Sequence, residues 1–200
     1  TQLWINKKQD QFKKMLEKSF HVFMMIGIPI IVGGMILAKP IMTLIAGKAF
    51  ADSGMIAQIL FLALIGGFLG ALFGHVIVAI NKQKKVIWIY ATVAAAGLAG
   101  YLYVIPTHGT LGAAWVTVAT ELLAGILLTR YIICCTKIKM RWFSVFIKTL
   151  LASFIMIIPI MLFPHLHVLV LTLIGMVTYA AAALVLRIIP LQQILSILKK

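Results

Sequence analysis

Across 200 residues the chain is 63% hydrophobic and 11% charged, with 18 Lys and Arg against 4 Asp and Glu, and its mean hydropathy is +1.11. That composition excludes an ordinary soluble domain and describes an integral membrane protein. The net charge of +14 is punctuation between long apolar runs, so no continuous basic face is left for nucleic acid. The two cysteines, Cys134 and Cys135, are adjacent and cannot staple distant segments.

A membrane-crossing helix needs about 20 mostly apolar residues to cover about 30 Å of hydrocarbon. Cutting the sequence at charges and turn residues on that basis predicts an all-α bundle of about six spans within one transmembrane domain, residues 1–200. The spans cover residues 20–38, 55–80, 86–105, 111–129, 145–163 and 168–189. Ahead of the first, Trp4, Ile5, Phe12, Met15 and Leu16 recur at near-helical spacing among lysines. After the last, Leu191, Ile194, Leu195 and Leu198 do the same behind Pro190. Both flanks read as interfacial helices anchoring the bundle to anionic membrane lipid. The chain begins at Thr1 inside a charged segment, without an initiator methionine, and a piece of a longer protein is expected.

Lys and Arg in flanking loops resist translocation and remain in the cytoplasm. Sixteen of them share one side: the lead-in to the first span, the Lys82, Lys84 and Lys85 turn, the connection between fourth and fifth spans, and the chain end. Only Lys39 and Lys48 lie opposite. Both ends of the segment are therefore expected in the cytoplasm of a plasma membrane, as an even number of spans also requires.

Small residues let helix backbones approach in lipid, where hydrophobic driving force between helices is weak. Gly66, Gly70 and Gly74 stand four apart on the second span, and Ala63, Gly67 and Ala71 form an adjoining line. Helix packing is the expected use of these lines. Pro159 should bend the fifth span by removing a backbone donor.

Glu121 lies near the middle of the fourth span, where a carboxylate is costly unless paired or wet. It should face the bundle interior, with Thr117, Thr120, Ala124 and Gly125 forming a narrow polar and small stripe around it. Two readings stand side by side: a carrier of a proton or cation, or a protonated acid hydrogen-bonded to a neighbouring helix. His75, on the glycine-rich second span, either joins a proton path or is a neutral, hydrogen-bonded histidine. Arg130 and Lys148 flank the cytoplasmic ends of their spans. Each either snorkels to the interface or meets an anionic phosphate at a cavity mouth. Lys48 and Asp52 are expected to form a local ion pair.

Enzymatic chemistry has little to work with. Asp10, Glu17 and Asp52 lie outside the spans, so no paired-carboxylate site can be assembled. No Gly-rich phosphate loop ending in Lys and Ser or Thr occurs either. His165 and His167 lack a third metal ligand, and the vicinal cysteines lack zinc spacing. No metal or other cofactor is expected.

Several stretches in order carry a likeness. They are Pro40 with Leu44-Ile45-Ala46-Gly47-Lys48-Ala49-Phe50, then Ala79-Ile80-Asn81-Lys82-Gln83-Lys84, and finally Ile105-Pro106-Thr107-His108-Gly109-Thr110-Leu111-Gly112-Ala113-Ala114 leading to Thr117 and Glu121. Through them the chain resembles the C-terminal part of a polysaccharide flippase of the multidrug/oligosaccharidyl-lipid/polysaccharide exporter superfamily, of the O-antigen and capsule repeat-unit type. The resemblance implies two helical lobes around a central cavity, of which the N-terminal lobe is missing here. It also implies alternating-access movement of undecaprenyl-diphosphate-linked oligosaccharide from the cytoplasmic to the outer leaflet of a bacterial membrane, with proton or sodium coupling. The chain departs from that picture in placing few cations within its spans. Either the other lobe supplies them, or substrate contacts are mainly hydroxyl and aromatic. The alternatives are a drug/cation antiporter of the same superfamily and an inactive structural fragment. A membrane-embedded acyltransferase is disfavoured, because no suitable His and acid pair occurs.

Overall fold

The computed structural model describes residues 9–136 and 143–188. Among them there are only helices and short turns: α1 (Gln9–Ala46), a single 3-10 turn (Lys48–Phe50), α2 (Ser53–Ala79), α3 (Gln83–Thr136), α4 (Phe143–Leu162) and α5 (Val168–Val185). All five α-helices are long and apolar enough to cross a membrane, and the protein is an all-α bundle.

The predicted spans 86–105 and 111–129 fall within the one element α3, which breaks at Gly109 (φ 56, ψ −141). That combination is essentially restricted to glycine. Here it reverses the helix. Gly97 faces Thr120, Gly100 faces Val116 and Gly112 faces Val104, a pairing that only antiparallel arms can produce. The Tyr101 hydroxyl ties the arms together at 2.9 Å from the Thr117 hydroxyl oxygen. Two membrane-length arms, residues 83–108 and 110–136, are thus joined through one residue, a tighter reversal than the Pro106 to Thr110 turn expected from the sequence.

Helix ends follow from local chemistry. α1 stops where Gly47 takes φ 90 and donates its N–H to the Thr43 carbonyl at 3.0 Å. α2 stops at Asn81, φ 55, with Asn81 N–H on the Val78 carbonyl and Lys82 N–H on the Ile77 carbonyl. This is a Schellman closure, with Asn in the left-handed position usually held by Gly. Arg187 closes α5 likewise (φ 50). The His167 ring accepts from the Leu169 N–H at 3.3 Å and caps the start of α5.

α1 is the spine. With 38 residues it measures about 57 Å at about 1.5 Å per residue, well beyond a hydrocarbon layer of about 30 Å. On one side it packs against α2, which in turn carries α3; on the other it meets α4 and α5. Phe12, Leu16 and Phe20, four apart on one stripe, join Phe73, Ile77, Leu128 and Ile132 in the larger core. Leu37, Met156, Ile160 and Leu171 form the second.

The lead-in around Phe12 and Leu16 is therefore no separate interfacial helix. It is the first part of α1, and both residues are buried against α2 and α3 while Met15 remains exposed. Anchoring on lipid alone would leave those two side chains outside a core that has room for them. Trp4, Ile5 and the stretch from Pro190 to Leu198 lie outside the described residues.

Two prolines sit inside α1, Pro29 and Pro40. Pro29 has no N–H for the Met25 carbonyl one turn back. The Tyr179 hydroxyl of α5 supplies the missing donor, 2.7 Å from that oxygen. A gap in one helix is thus filled by a side chain from another, and the bond locks α5 onto α1.

Candidate functional site

The site is built on the glycines of α2. A Cβ at Gly66 would run into the Glu121 carbonyl and stand 2.5 Å from the Leu122 nitrogen. At Gly125 a Cβ would lie 3.0 Å from the Gly66 oxygen. Here α2 and the second arm of α3 touch backbone to backbone, as small residues permit. One and two turns further along α2 the contact opens. Gly70 has no neighbour within 4 Å of a would-be Cβ, and at Gly74 the nearest atom is the Tyr90 hydroxyl at 3.7 Å. Of the three glycines in the predicted packing line, Gly66 makes the contact, Gly70 borders the space beside it, and Gly74 lies a turn beyond, against Tyr90.

That space is a cavity of about 280 Å³ between α2 and both arms of α3, lined by Gly67, Gly70, Tyr90, Thr120, Glu121 and Ala124 among others. The Glu121 carboxylate lies along Gly67, its Oε2 3.7 Å from where a Cβ of that glycine would stand. Thr120 donates back to the Val116 and Thr117 carbonyls, each at 3.0 Å, which leaves its oxygen as an acceptor toward the cavity. Among the described residues, no Lys, Arg or His lines this cavity. One carboxylate and two hydroxyl groups are acceptor-rich chemistry, suited to a proton or a cation and unsuited to an anion.

Glu121 had been expected in the bundle interior. Its backbone is there, wedged on Gly66, but its side chain is exposed along the cavity. It has no ion-pair or hydrogen-bond partner among the described residues. The other sequence candidates divide. Thr117 donates to the Ala113 carbonyl at 3.0 Å and so accepts from Tyr101, holding the hairpin and not lining the cavity. His75 is exposed on a different face of α2, in a second cavity shared with α1. Arg130 is exposed on α3 and Lys148 half-buried on α4, two helices with at most marginal contact among the described residues. The structure therefore does not gather Glu121, Thr117 and His75 into one site.

Lys48 and Asp52 do not pair, since an exposed ion pair gains little against side-chain freedom. No group of three His, Cys, Asp or Glu among the described residues could hold a metal ion. Tyr90 is the polar lining residue that the sequence did not single out. It stands on the first arm of α3, and its approach to Gly74 depends on how α2 and α3 cross.

Compared with the models of protein families, with curated proteins and with solved structures, the chain matches none of them.

Proposed function

We propose that this chain is part of a bacterial plasma-membrane flippase that carries undecaprenyl-diphosphate-linked oligosaccharide from the cytoplasmic to the outer leaflet by alternating access. Glu121 takes the coupling proton or sodium ion. The observation that supports this reading is the Glu121 cavity itself: a carboxylate with no partner among the described residues, beside two hydroxyls, set between helices otherwise apolar enough to span a membrane. Acids at such depth mark ion pathways, because in contact with hydrocarbon they are too costly to keep.

The substrate's phosphates would meet cations elsewhere. Arg130 and Lys148 serve that end as separate contacts at the cytoplasmic mouth, with the remaining cavity wall coming from the N-terminal lobe. Both ends of the segment stand in the cytoplasm on this reading. That no cation among the described residues lines the Glu121 cavity also favours a second reading, a drug/cation antiporter in which the same carboxylate receives a cationic substrate.

Complementation separates the two. In a bacterium lacking its own surface-polysaccharide flippase, the full-length protein is expected to restore surface polymer, and Glu121→Gln at equal membrane expression to reduce it at least about tenfold. Unchanged polymer with Glu121→Gln would remove Glu121 from the coupling role. Failure to restore polymer for several repeat units, combined with resistance to toxic organic cations, would establish the antiporter.

A further inference from the structure

The second cavity lies where α1 crosses the end of α2, measures about 270 Å³, and is lined by Phe12, Leu16, Ser19, Leu72, His75 and Ala79 among others. Its wall is apolar apart from Ser19 and His75, and neither of these has a hydrogen-bond partner among the described residues. It is separate from the Glu121 cavity, which opens on another face of α2 toward α3.

The surroundings of this groove are strongly basic. On α1, Lys13, Lys14 and Lys18 alternate with the lining residues Phe12, Met15, Leu16 and Ser19. On the other wall α2 ends at Ala79, and Lys82, Lys84 and Lys85 follow within two turns. Asp10 and Glu17 are the acids on these segments, two against six lysines. Lys14, Lys18, Lys84 and Lys85 are exposed. No lysine among the described residues lines the slot itself, but the Lys82, Lys84 and Lys85 turn follows directly on its α2 wall. An apolar slot that ends beside that turn, at the end of membrane-length helices, suits a phospholipid, whose acyl chain is apolar and whose phosphate is anionic.

We propose that the α1–α2 groove binds an anionic phospholipid, one acyl chain lying along Phe12, Leu16 and Leu72 and the headgroup phosphate held by the lysines at the groove's end. Ser19 and His75 offer hydrogen bonds to the glycerol ester region. Charge complementarity decides the headgroup: a zwitterionic lipid brings its own cation to a site that already has an excess of them. The lipid would fasten the first part of α1 to α2, and this role is independent of what the protein transports.

The test is native mass spectrometry of the full-length protein in detergent, titrated with phosphatidylglycerol or phosphatidylcholine of identical chains. Phosphatidylglycerol is expected to be retained at least about tenfold more than phosphatidylcholine, as several lysines near one phosphate imply. Combined substitution of the exposed lysines (Lys14→Gln, Lys18→Gln, Lys84→Gln, Lys85→Gln) should erase that preference. Ala79→Phe, which fills the slot, should lower retention of both lipids. Helical content by circular dichroism controls for folding of each variant. Equal retention of the two lipids, a preference that survives the lysine substitutions, or indifference to Ala79→Phe would overturn the proposal. So would displacement by glycerol phosphate alone as effective as by the intact lipid, which would reduce the site to a bare anion contact. Retention of neither lipid together with efficient cross-linking of Ala79→Cys to another chain would assign the groove to a protein partner instead.

Discussion

Replacing Gly66 by alanine is expected to cost the protein about 2–3 kcal/mol, and the same change at Gly70 is expected to be neutral or slightly stabilising. The two glycines are one helical turn apart and share a sequence pattern, so the difference isolates what each one touches. At Gly66 the added methyl meets the Glu121 carbonyl and the Leu122 nitrogen. Both are backbone atoms in mid-helix, and no side chain can swing aside to make room. α2 and α3 must separate, opening the close backbone approach at Gly125, where even an added Cβ would stand only 3.0 Å from the Gly66 oxygen and 3.1 Å from the Leu69 Cβ. At Gly70 the methyl enters open space, and alanine gains up to about 1 kcal/mol in helix propensity over glycine. Thermal midpoints of the two purified variants measure the contrast directly. Equal midpoints would mean that α2 and α3 do not cross at Gly66.

Tyr179→Phe is expected to lower stability by about 1–2 kcal/mol, because it leaves the Met25 carbonyl without a donor inside the bundle. Loss of a hydroxyl from a helix in lipid is often milder than this. The difference here is Pro29, which denies that carbonyl its ordinary helical partner. A second substitution tests the mechanism. In a Pro29→Ala background the alanine N–H supplies the Met25 carbonyl, and Tyr179→Phe should then cost about 0.5 kcal/mol or less. Equal costs in the two backgrounds would show that the phenol contributes through packing and not through the proline's missing bond.

The long apolar helices were legible because hydropathy and charge mark where an apolar run begins and ends. The ends of α2, α4 and α5 fall within a few residues of the predicted ones for that reason. α1 shows what the same signal hides. Lysines at 13, 14 and 18 cut the apolar run and made the lead-in look like a separate interfacial element. The stripe of Phe12, Leu16 and Phe20 nonetheless continues the buried face of the helix. The single-residue reversal at Gly109 was half visible, as a turn rich in Pro and Gly; only the backbone angles reduce it to one glycine.

The candidate site was legible in one residue and obscure in its company. Glu121 stands out in any apolar helix. Its neighbours depend on how α2 crosses the hairpin, a relation that spacing along one helix does not contain. Periodicity therefore offered Thr117, which faces Tyr101 instead, and His75, which faces α1; it passed over Tyr90. In the same way Pro29 announces a free carbonyl, but nothing in the sequence names a donor 154 residues away.

The most direct test of the Glu121 cavity as a water-filled path is cysteine accessibility in intact membranes. Cys134 and Cys135 are first replaced by serine. Gly70→Cys then places a thiol in the open space beside Glu121, and Leu102→Cys places one on the outward surface of α3, where Leu102 is 70% exposed. A charged, membrane-impermeant thiol reagent is expected to modify Gly70→Cys readily and Leu102→Cys hardly at all. Equal resistance at both positions, at equal expression, would mean that lipid or packed protein fills the cavity, and would contradict a transport path through it.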